Sequence, residues 1–129
     1  MAVSKSSLSA GEIIRAVLTE DPEVAARAKK VYPVVEDSAE LPYIVYRRTQ
    51  LEQGAVKGKR GNDTVTIEVL CYTEGYTEGV ELAEAVRDAL DNKTSESDGL
   101  VMRSCFLTDS EETWQDDAYL QVLVFNVKM

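Results

Sequence analysis

The stretch of this chain that most resembles a ligand-binding motif is rich in glycine and basic residues. Gly54, Gly58 and Gly61 alternate with lysine and arginine between residues 54 and 61, a composition that can cradle phosphate. The stretch lacks the Gly-Lys-Ser/Thr ending of a phosphate-binding loop, and no apolar strand leads into it. The sequence therefore favours a surface loop here over a nucleotide site.

A second candidate for chemistry is the acidic stretch from Asp109 to Asp117. Its carboxylates could bind calcium, but the ligand spacing of an EF-hand and its central glycine are absent. Acidic segments between strands are more often only solvated. We therefore expect no metal site in this stretch.

The chain contains no histidine, which is the commonest general base and the commonest metal ligand. Ser-His-Asp and Cys-His mechanisms are thereby excluded, and no CxxC pair is present for a zinc ribbon. Cys71 and Cys105 lie in apolar, strand-like runs and are interpreted as small buried hydrophobes. We expect a protein that is not an enzyme, with no catalytic residues, no cofactor and no metal.

Size and charge limit the remaining function classes. With 129 residues, of which 44% are hydrophobic, the chain suits a single domain over 1–129. Its net charge of −9 disfavours specific binding to nucleic acid, whose partners need clustered cations. No apolar run approaches the ~20 residues that span a bilayer, and residues 1–8 resemble a flexible tail and not a signal peptide.

Two helical regions are expected before the first strand. Ser9 and Glu12 have capping-box spacing, and the apolar pattern that follows predicts a helix from about Ala10 to Thr19. Asp21 followed by proline is a second start signal, with aspartate as the N-cap. It predicts a short helix that ends near residue 30.

The remaining pattern predicts one long helix and several strands. An apolar stripe predicts the second main helix from about Thr77 to Asn92. Extended segments are predicted at 31–35, 43–46, 64–72, 100–107 and 119–127, with a long mobile loop over 50–63 and an acidic connection over 109–117. The fold class is therefore α+β, with a largely antiparallel (mixed) sheet of four or more strands and two main helices packed on one face.

The predicted core follows from the same periodicity, and it draws on both main helices and three strands. Its members are Ile14, Val17, Ile44, Val65, Ile67, Val69, Leu82, Val86, Leu90, Val122 and Val124.

The order of these elements resembles a known family. An opening helix leads through Asp21-Pro22 to the strand of Leu41 to Tyr46. A glycine- and lysine-rich loop then precedes the strand of Thr64 to Val69, and a helix and a closing hairpin follow. From about Gly11 to Val127, the chain resembles the tail-completion (tail-terminator) proteins of long-tailed phages and prophages, which are similar to the phage lambda tail terminator.

The resemblance implies a structural virion protein with no catalytic residues. Such proteins form a ring, generally hexameric, that caps the head-proximal end of the tail tube and joins it to the head-side connector protein. The partners implied are further copies of the chain, the tail tube protein and the connector. DNA would pass through the ring without specific binding. The implied location is the virion tail, after synthesis in the bacterial host cytoplasm. The alternative is a small non-catalytic α+β adaptor or regulatory domain that binds a protein or a metabolite.

Charge is unevenly distributed, which suggests an interface. The basic residues cluster in one part of the chain, at Arg47, Arg48, Lys57, Lys59 and Arg60. The acidic residues cluster in another, at Asp109, Glu111, Glu112, Asp116 and Asp117. We hypothesise that the basic cluster of one subunit contacts the acidic cluster of its ring neighbour or of the tube below. Two independently solvated loops are the alternative. Trp114 is either an interface anchor or a cover for the core edge.

Overall fold

Three helices and a short helical turn make up the helical part of the described chain. The computed structural model describes residues 6–33, 40–56, 59–60, 63–97, 99–115 and 117–129. A 3-10 turn at Ser7–Ser9 leads into α1 (Ala10–Glu20); α2 (Pro22–Arg27) and α3 (Tyr76–Leu90) follow. The turn and the buried Ser7 lie partly within the region predicted as a flexible tail.

The ends of these helices test the two capping predictions. Asp21 caps α2 as predicted, because its Oδ1 accepts hydrogen bonds from the backbone N–H groups of Glu23 at 2.9 Å and Val24 at 3.1 Å. The capping box predicted at Ser9 is wrong, since the Ser9 side chain makes no capping bond. The 3-10 turn continues directly into α1 and leaves Ser9 without the extended backbone that a capping box requires.

The strands form one large sheet and two small pairs. In chain order they are β1 (Lys30–Pro33), β2 (Tyr43–Glu52), β3 (Ala55–Val56), β4 (Lys59–Arg60), β5 (Thr64–Thr73), β6 (Ser95–Ser97), β7 (Leu100–Met102), β8 (Ser104–Gln115) and β9 (Ala118–Lys128). The main sheet has the order β1-β2-β5-β9-β8. Only β1 is parallel to its neighbour, so the sheet is mixed and largely antiparallel, and the α+β prediction is confirmed.

The loop predicted over 50–63 contains more regular structure than expected. Strand β2 continues to Glu52, and β3 pairs with β4 in antiparallel register. The strand predicted over 100–107 is divided, because β7 pairs with β6 whereas β8 joins the main sheet.

The core lies between the helices and one face of the sheet. Alternate residues of β5, from Val65 to Cys71, are buried in one cluster with apolar residues of all three helices. Eight predicted core residues belong to this cluster: Ile14, Ile44, Val65, Ile67, Val69, Leu82, Val86 and Leu90. Val17 is only partly buried against it.

The prediction for the last strand selected the wrong face. Leu123, Phe125 and Val127 of β9 enter the core, whereas Val122 is buried outside that cluster and Val124 is only half-buried. The register explains the difference, because Ile67 of β5 pairs with Phe125 and shares its side of the sheet.

The acidic stretch is a strand and not a connection, so that prediction is also wrong. β8 runs to Gln115 and pairs with β9 throughout, with a register shift between Leu107 and Asp109. Asp117, in the turn of this long hairpin, has a φ of 59°. None of the helices in the described ranges is both long and apolar enough to cross a membrane.

Candidate interaction surfaces

An exposed aromatic cluster lies near the turn of the β8–β9 hairpin. The Trp114 and Tyr119 rings meet edge to face with centroids 4.8 Å apart, and the Tyr76 ring meets Tyr119 in the same way at 5.8 Å. Trp114 is 55% exposed and Tyr76 is 48% exposed. Together with Glu112 and Gln121 they border a shallow cavity of about 240 Å³. Large exposed aromatic side chains of this kind often anchor protein interfaces.

Hydrogen bonds hold this cluster together. The Tyr76 hydroxyl donates to the Glu112 carboxylate at 2.9 Å, and the Gln121 amide Nε2 donates to the same group at 2.9 Å. The bond from Gln121, followed by that from Tyr76, lowers the pKa of the Glu112 carboxyl. The bond to Glu112 in turn raises the pKa of the Tyr76 hydroxyl. The network ties the first turn of α3 to both strands of the hairpin.

A second surface is the sheet face opposite the core. Side chains from β2, β5, β8 and β9 surround an open concavity of about 310 Å³, with no helical residue in its lining. Its centre is formed by the apolar side chains of Val45, Leu120 and Val122, each of which is no more than 6% exposed. Arg47 spans part of its rim, with Nη2 lying 2.8 Å from the Glu68 carboxylate.

A third surface is a groove of about 380 Å³ along β1, bordered by α1 and α2. Its lining includes three cations and no carboxylate; the cations are Arg15, Lys29 and Lys30. The floor is apolar, with Leu18 and Val24 buried. β1 is a terminal strand of the main sheet, so this groove follows a sheet edge.

Two arginines of the predicted basic cluster lie on different faces of the sheet. Arg47 and Arg48 are consecutive in β2 and point to opposite sheet faces. Arg47 binds Glu68, whereas Arg48 donates to the Leu8 carbonyl at 3.3 Å. Lys59 and Arg60 lie in β4, and Lys57 lies outside the described residues.

The described members of the predicted acidic cluster also lie in different surroundings. Asp109 accepts a hydrogen bond from the backbone N–H of Ser110 at 2.8 Å, and Glu111 lies on the open sheet face. Glu112 belongs to the aromatic cluster together with Trp114. Asp117 lies in the hairpin turn, and Asp116 lies outside the described residues.

Sequence reasoning identified Glu112 and Trp114 but missed the residues that complete their cluster. Tyr76 comes from the first turn of α3, and Tyr119 and Gln121 come from β9. Only the pairing of β8 with β9 reveals the contact. The cations of the β1 groove were also missed, because Arg15 is fourteen positions before Lys29 in the sequence.

The two cysteine thiols do not lie on these surfaces. Cys71 and Cys105 are free and buried, as predicted from their apolar surroundings. Burial raises the pKa of each thiol to about 12, which keeps it protonated and unreactive at neutral pH. Within the described ranges, no group of three or more acidic or cysteine side chains is arranged to hold a metal ion.

Comparison with known proteins decides the family. The family model described as "Tail completion protein gp17" matches residues 12–129. The chain belongs to this family. It is therefore a structural protein of a phage-type virion tail, as the sequence resemblance implied. A search of curated protein sequences finds no match.

One solved structure shows the same fold. A chain from the virion of a native gene transfer agent particle superposes on this tail-completion protein with a TM-score of 0.75 at 18% identity. The superposition covers 95% of this chain and 98% of that chain. A second solved structure, 14% identical over 92% of this chain and 96% of its own, reaches a TM-score of only 0.46. The first comparison shows a shared fold.

Proposed function

We propose that this tail-completion protein is the subunit of a hexameric ring that caps the tail tube at its head-proximal end. The ring would stop tube growth and present a surface to the head-side connector protein. The observation that carries the proposal is the family match, which extends over residues 12–129. It favours a role in the tail over the alternative of an adaptor or regulatory domain.

The shape of the subunit is compatible with ring formation. A closed ring of identical subunits requires two different patches on each subunit that meet head to tail. The five-stranded sheet ends in two unlike strands, β1 and β8, which offer such patches. The exposed aromatic cluster offers a further anchor for a neighbour, the tube or the connector.

Contacts between charged side chains would join neighbouring subunits. In the hypothesis formed from the sequence, the basic residues from Arg47 to Arg60 contact the acidic residues from Asp109 to Asp117 of a neighbour or of the tube. Arg47 already has a partner within its own subunit, the Glu68 carboxylate at 2.8 Å, so the other basic residues would make the contact in that scheme.

The ring is tested by imaging and by assembly of tails. Negative-stain images of the purified protein at high concentration should show closed rings, and sedimentation should show a discrete oligomer. In its phage or prophage, loss of the gene should leave tubes of uncontrolled length that lack heads. Tubes of normal length joined to heads in the absence of the protein would contradict the proposal.

We further propose that the protein acts without catalysis and without specific affinity for DNA. The net charge of −9 supports this, because a negative surface would let genomic DNA pass through a ring without sticking. A gel-shift assay with duplex DNA at physiological salt should show no complex. Tight binding under these conditions would refute the proposal. The protein would be made in the bacterial host cytoplasm before it joins the virion tail.

A further inference from the structure

We propose that the outer edge of β8 in one subunit docks along β1 and its basic groove in a second copy of the chain. This inference rests on the proposed ring and specifies which surfaces meet in it. The docking would extend the sheet from one subunit to the next. It replaces the residues from Arg47 to Arg60 with Arg15 and Lys30 as the partners of the acidic strand, because Lys29 already lies 3.2 Å from the Glu40 carboxylate of its own subunit.

The first half of the β8 edge is already occupied within the subunit. The backbone N–H of Leu107 donates to Asp91 Oδ1 at 2.9 Å, and the carbonyl of Cys105 accepts from the N–H of Asn92 at 2.6 Å. The N–H of Ser110 is bonded to the Asp109 side chain. These contacts cover the outer edge of β8 only as far as Ser110.

The second half of β8 is open to a partner. β8 is a terminal strand of the sheet, and no strand of the described chain pairs with its outer side from Glu111 to Gln115. The strand carries three carboxylates, at Asp109, Glu111 and Glu112, and no cation. A terminal strand with unpaired backbone groups is a template for another strand.

The opposite edge of the sheet is complementary in length and charge. β1 has four residues, which is close to the five from Glu111 to Gln115. Its groove is lined by three cations and no carboxylate. Lys29 already pairs with Glu40 of its own subunit at 3.2 Å, so Arg15 and Lys30 provide the positive charge for a partner. Strand addition of this kind gains main-chain hydrogen bonds, and the pockets for alternate side chains give it specificity. Lysine and proline at a sheet edge discourage indiscriminate pairing, and Lys30 would then select an acidic partner strand.

The positions of the two edges favour head-to-tail assembly. They are separated by the three inner strands of one sheet, or about 19 Å at the usual strand spacing of about 4.8 Å. One subunit therefore cannot satisfy both edges by itself. A contact between two different patches repeats from copy to copy and closes into a ring where the rotation allows.

Paired charge reversals provide the central test. Glu111→Lys changes only the β8 side of the proposed contact, and Lys30→Glu changes only the β1 side. Each variant alone would face a like charge at every contact, so we expect about tenfold weaker association at low salt. An equimolar mixture should recover wild-type assembly, because alternating subunits restore opposite charges at every contact. Sedimentation velocity and negative-stain images measure both effects.

A matched control separates this docking from the earlier hypothesis. Lys59→Glu with Arg60→Glu reverses basic residues of β4 and should leave assembly unchanged. If these changes disrupt rings while Lys30→Glu does not, the β1 docking is wrong and the ring proposal survives. Failure of the mixture to recover assembly also overturns the docking.

Chemical crosslinking tests the same contact without relying on charge. Thr113→Cys and Lys30→Cys place exposed thiols on the two edges, and the native thiols are buried. With both changes in one chain, a bifunctional maleimide should produce a ladder of trimers and larger species, whereas each single change should produce none. If the wild-type protein forms no closed assembly, the ring proposal fails. Absence of the ladder would overturn the docking as well.

Discussion

Gly79 lies where α3 packs against β5 and β9, and the space there admits no side chain. A Cβ at this position would lie 2.9 Å from Thr73 Oγ1, which is closer than van der Waals contact allows. Thr73 cannot move freely, because it is 1% exposed and its hydroxyl donates to the Gly75 carbonyl at 2.8 Å. Glycine is therefore required here by packing, although it weakens a helix interior.

We expect Gly79→Ala to lower the free energy of unfolding by about 1–3 kcal/mol, the usual cost of overpacking. Urea denaturation measures the change, and Glu81→Ala on the exposed face of α3 should have almost no effect. In combination with Thr73→Ala, the loss should be smaller than the sum of the two single losses. A more stable Gly79→Ala variant would show that the contact is not tight.

The Glu112 carboxyl reports on the aromatic cluster. Hydrogen bonds from Gln121 and Tyr76 favour its charged form and lower its pKa below the ordinary value of 4.5. The contribution of these hydrogen bonds to the stability of the folded protein is therefore present above pH 4.5, and it is lost as the pH falls through the lowered pKa of Glu112.

We expect Tyr76→Phe to raise the pKa of Glu112 towards its ordinary value, because one of the two hydrogen bonds is removed. Carboxyl-detected NMR titration measures this pKa directly. Tyr32→Phe, at the other edge of the sheet, is the matched control and should leave it unchanged. An unshifted pKa in Tyr76→Phe would contradict the hydrogen bond.

Individual residues were predictable where the signal was local. Asp21 directly before a proline is a local signal for the N-cap of a helix, and it caps α2. The burial of both cysteines follows from their apolar neighbours. Glu112 and Trp114 were singled out by composition, but their contact with Tyr76 depends on long-range pairing that no local pattern encodes. The interaction surface was therefore only partly predictable.

At the scale of elements, the alternation of apolar and polar residues predicted the core face of a strand only where the other face of that strand is more polar. β5 alternates clearly, and its core face was predicted correctly. Residues 118–127 of β9 are almost continuously apolar, because both faces of this strand are largely buried, and periodicity cannot select between them. β8 was cut short because its distal residues are polar on both sides, as is common for an edge strand.

Asp91 and Asn92, which directly follow α3, form hydrogen bonds with β8. Asp91 accepts the Leu107 N–H, which lies on the outer edge of β8, and it also approaches Arg87 at 3.5 Å. Asn92 adopts a φ of 63°, which asparagine tolerates better than most residues. The segment therefore closes half of a sheet edge.

We expect Asp91→Ala to destabilise the protein by about 1–3 kcal/mol, because a backbone N–H is left without its partner. Hydrogen exchange at the Leu107 amide should accelerate by more than the loss of global stability accounts for. Asp88→Ala, one turn earlier on the exposed face of α3, serves as the control. If exchange at Leu107 is unchanged, Asp91 does not protect this edge.

At the scale of the whole molecule, the two sheet edges carry opposite charge. The distal edge of β8 is acidic and the β1 groove is basic, on a chain whose overall charge is −9. Like subunits would repel each other unless these edges are brought together. Complementary charges of this kind direct the orientation and rate of encounter more than they add affinity.

Salt should therefore weaken assembly without abolishing it. Exposed ion pairs contribute about 0–1 kcal/mol each, so apolar contacts must supply most of the free energy of association. The screening length falls from about 10 Å at 0.1 M to about 3 Å at 1 M salt, which removes most of the charge term. In wild-type protein, the association constant should fall across this range, as measured by sedimentation. In Lys30→Glu the association constant should instead rise with salt, because salt then screens a repulsion between two acidic edges. An identical salt response in both proteins would show that Lys30 does not face the acidic strand of its neighbour.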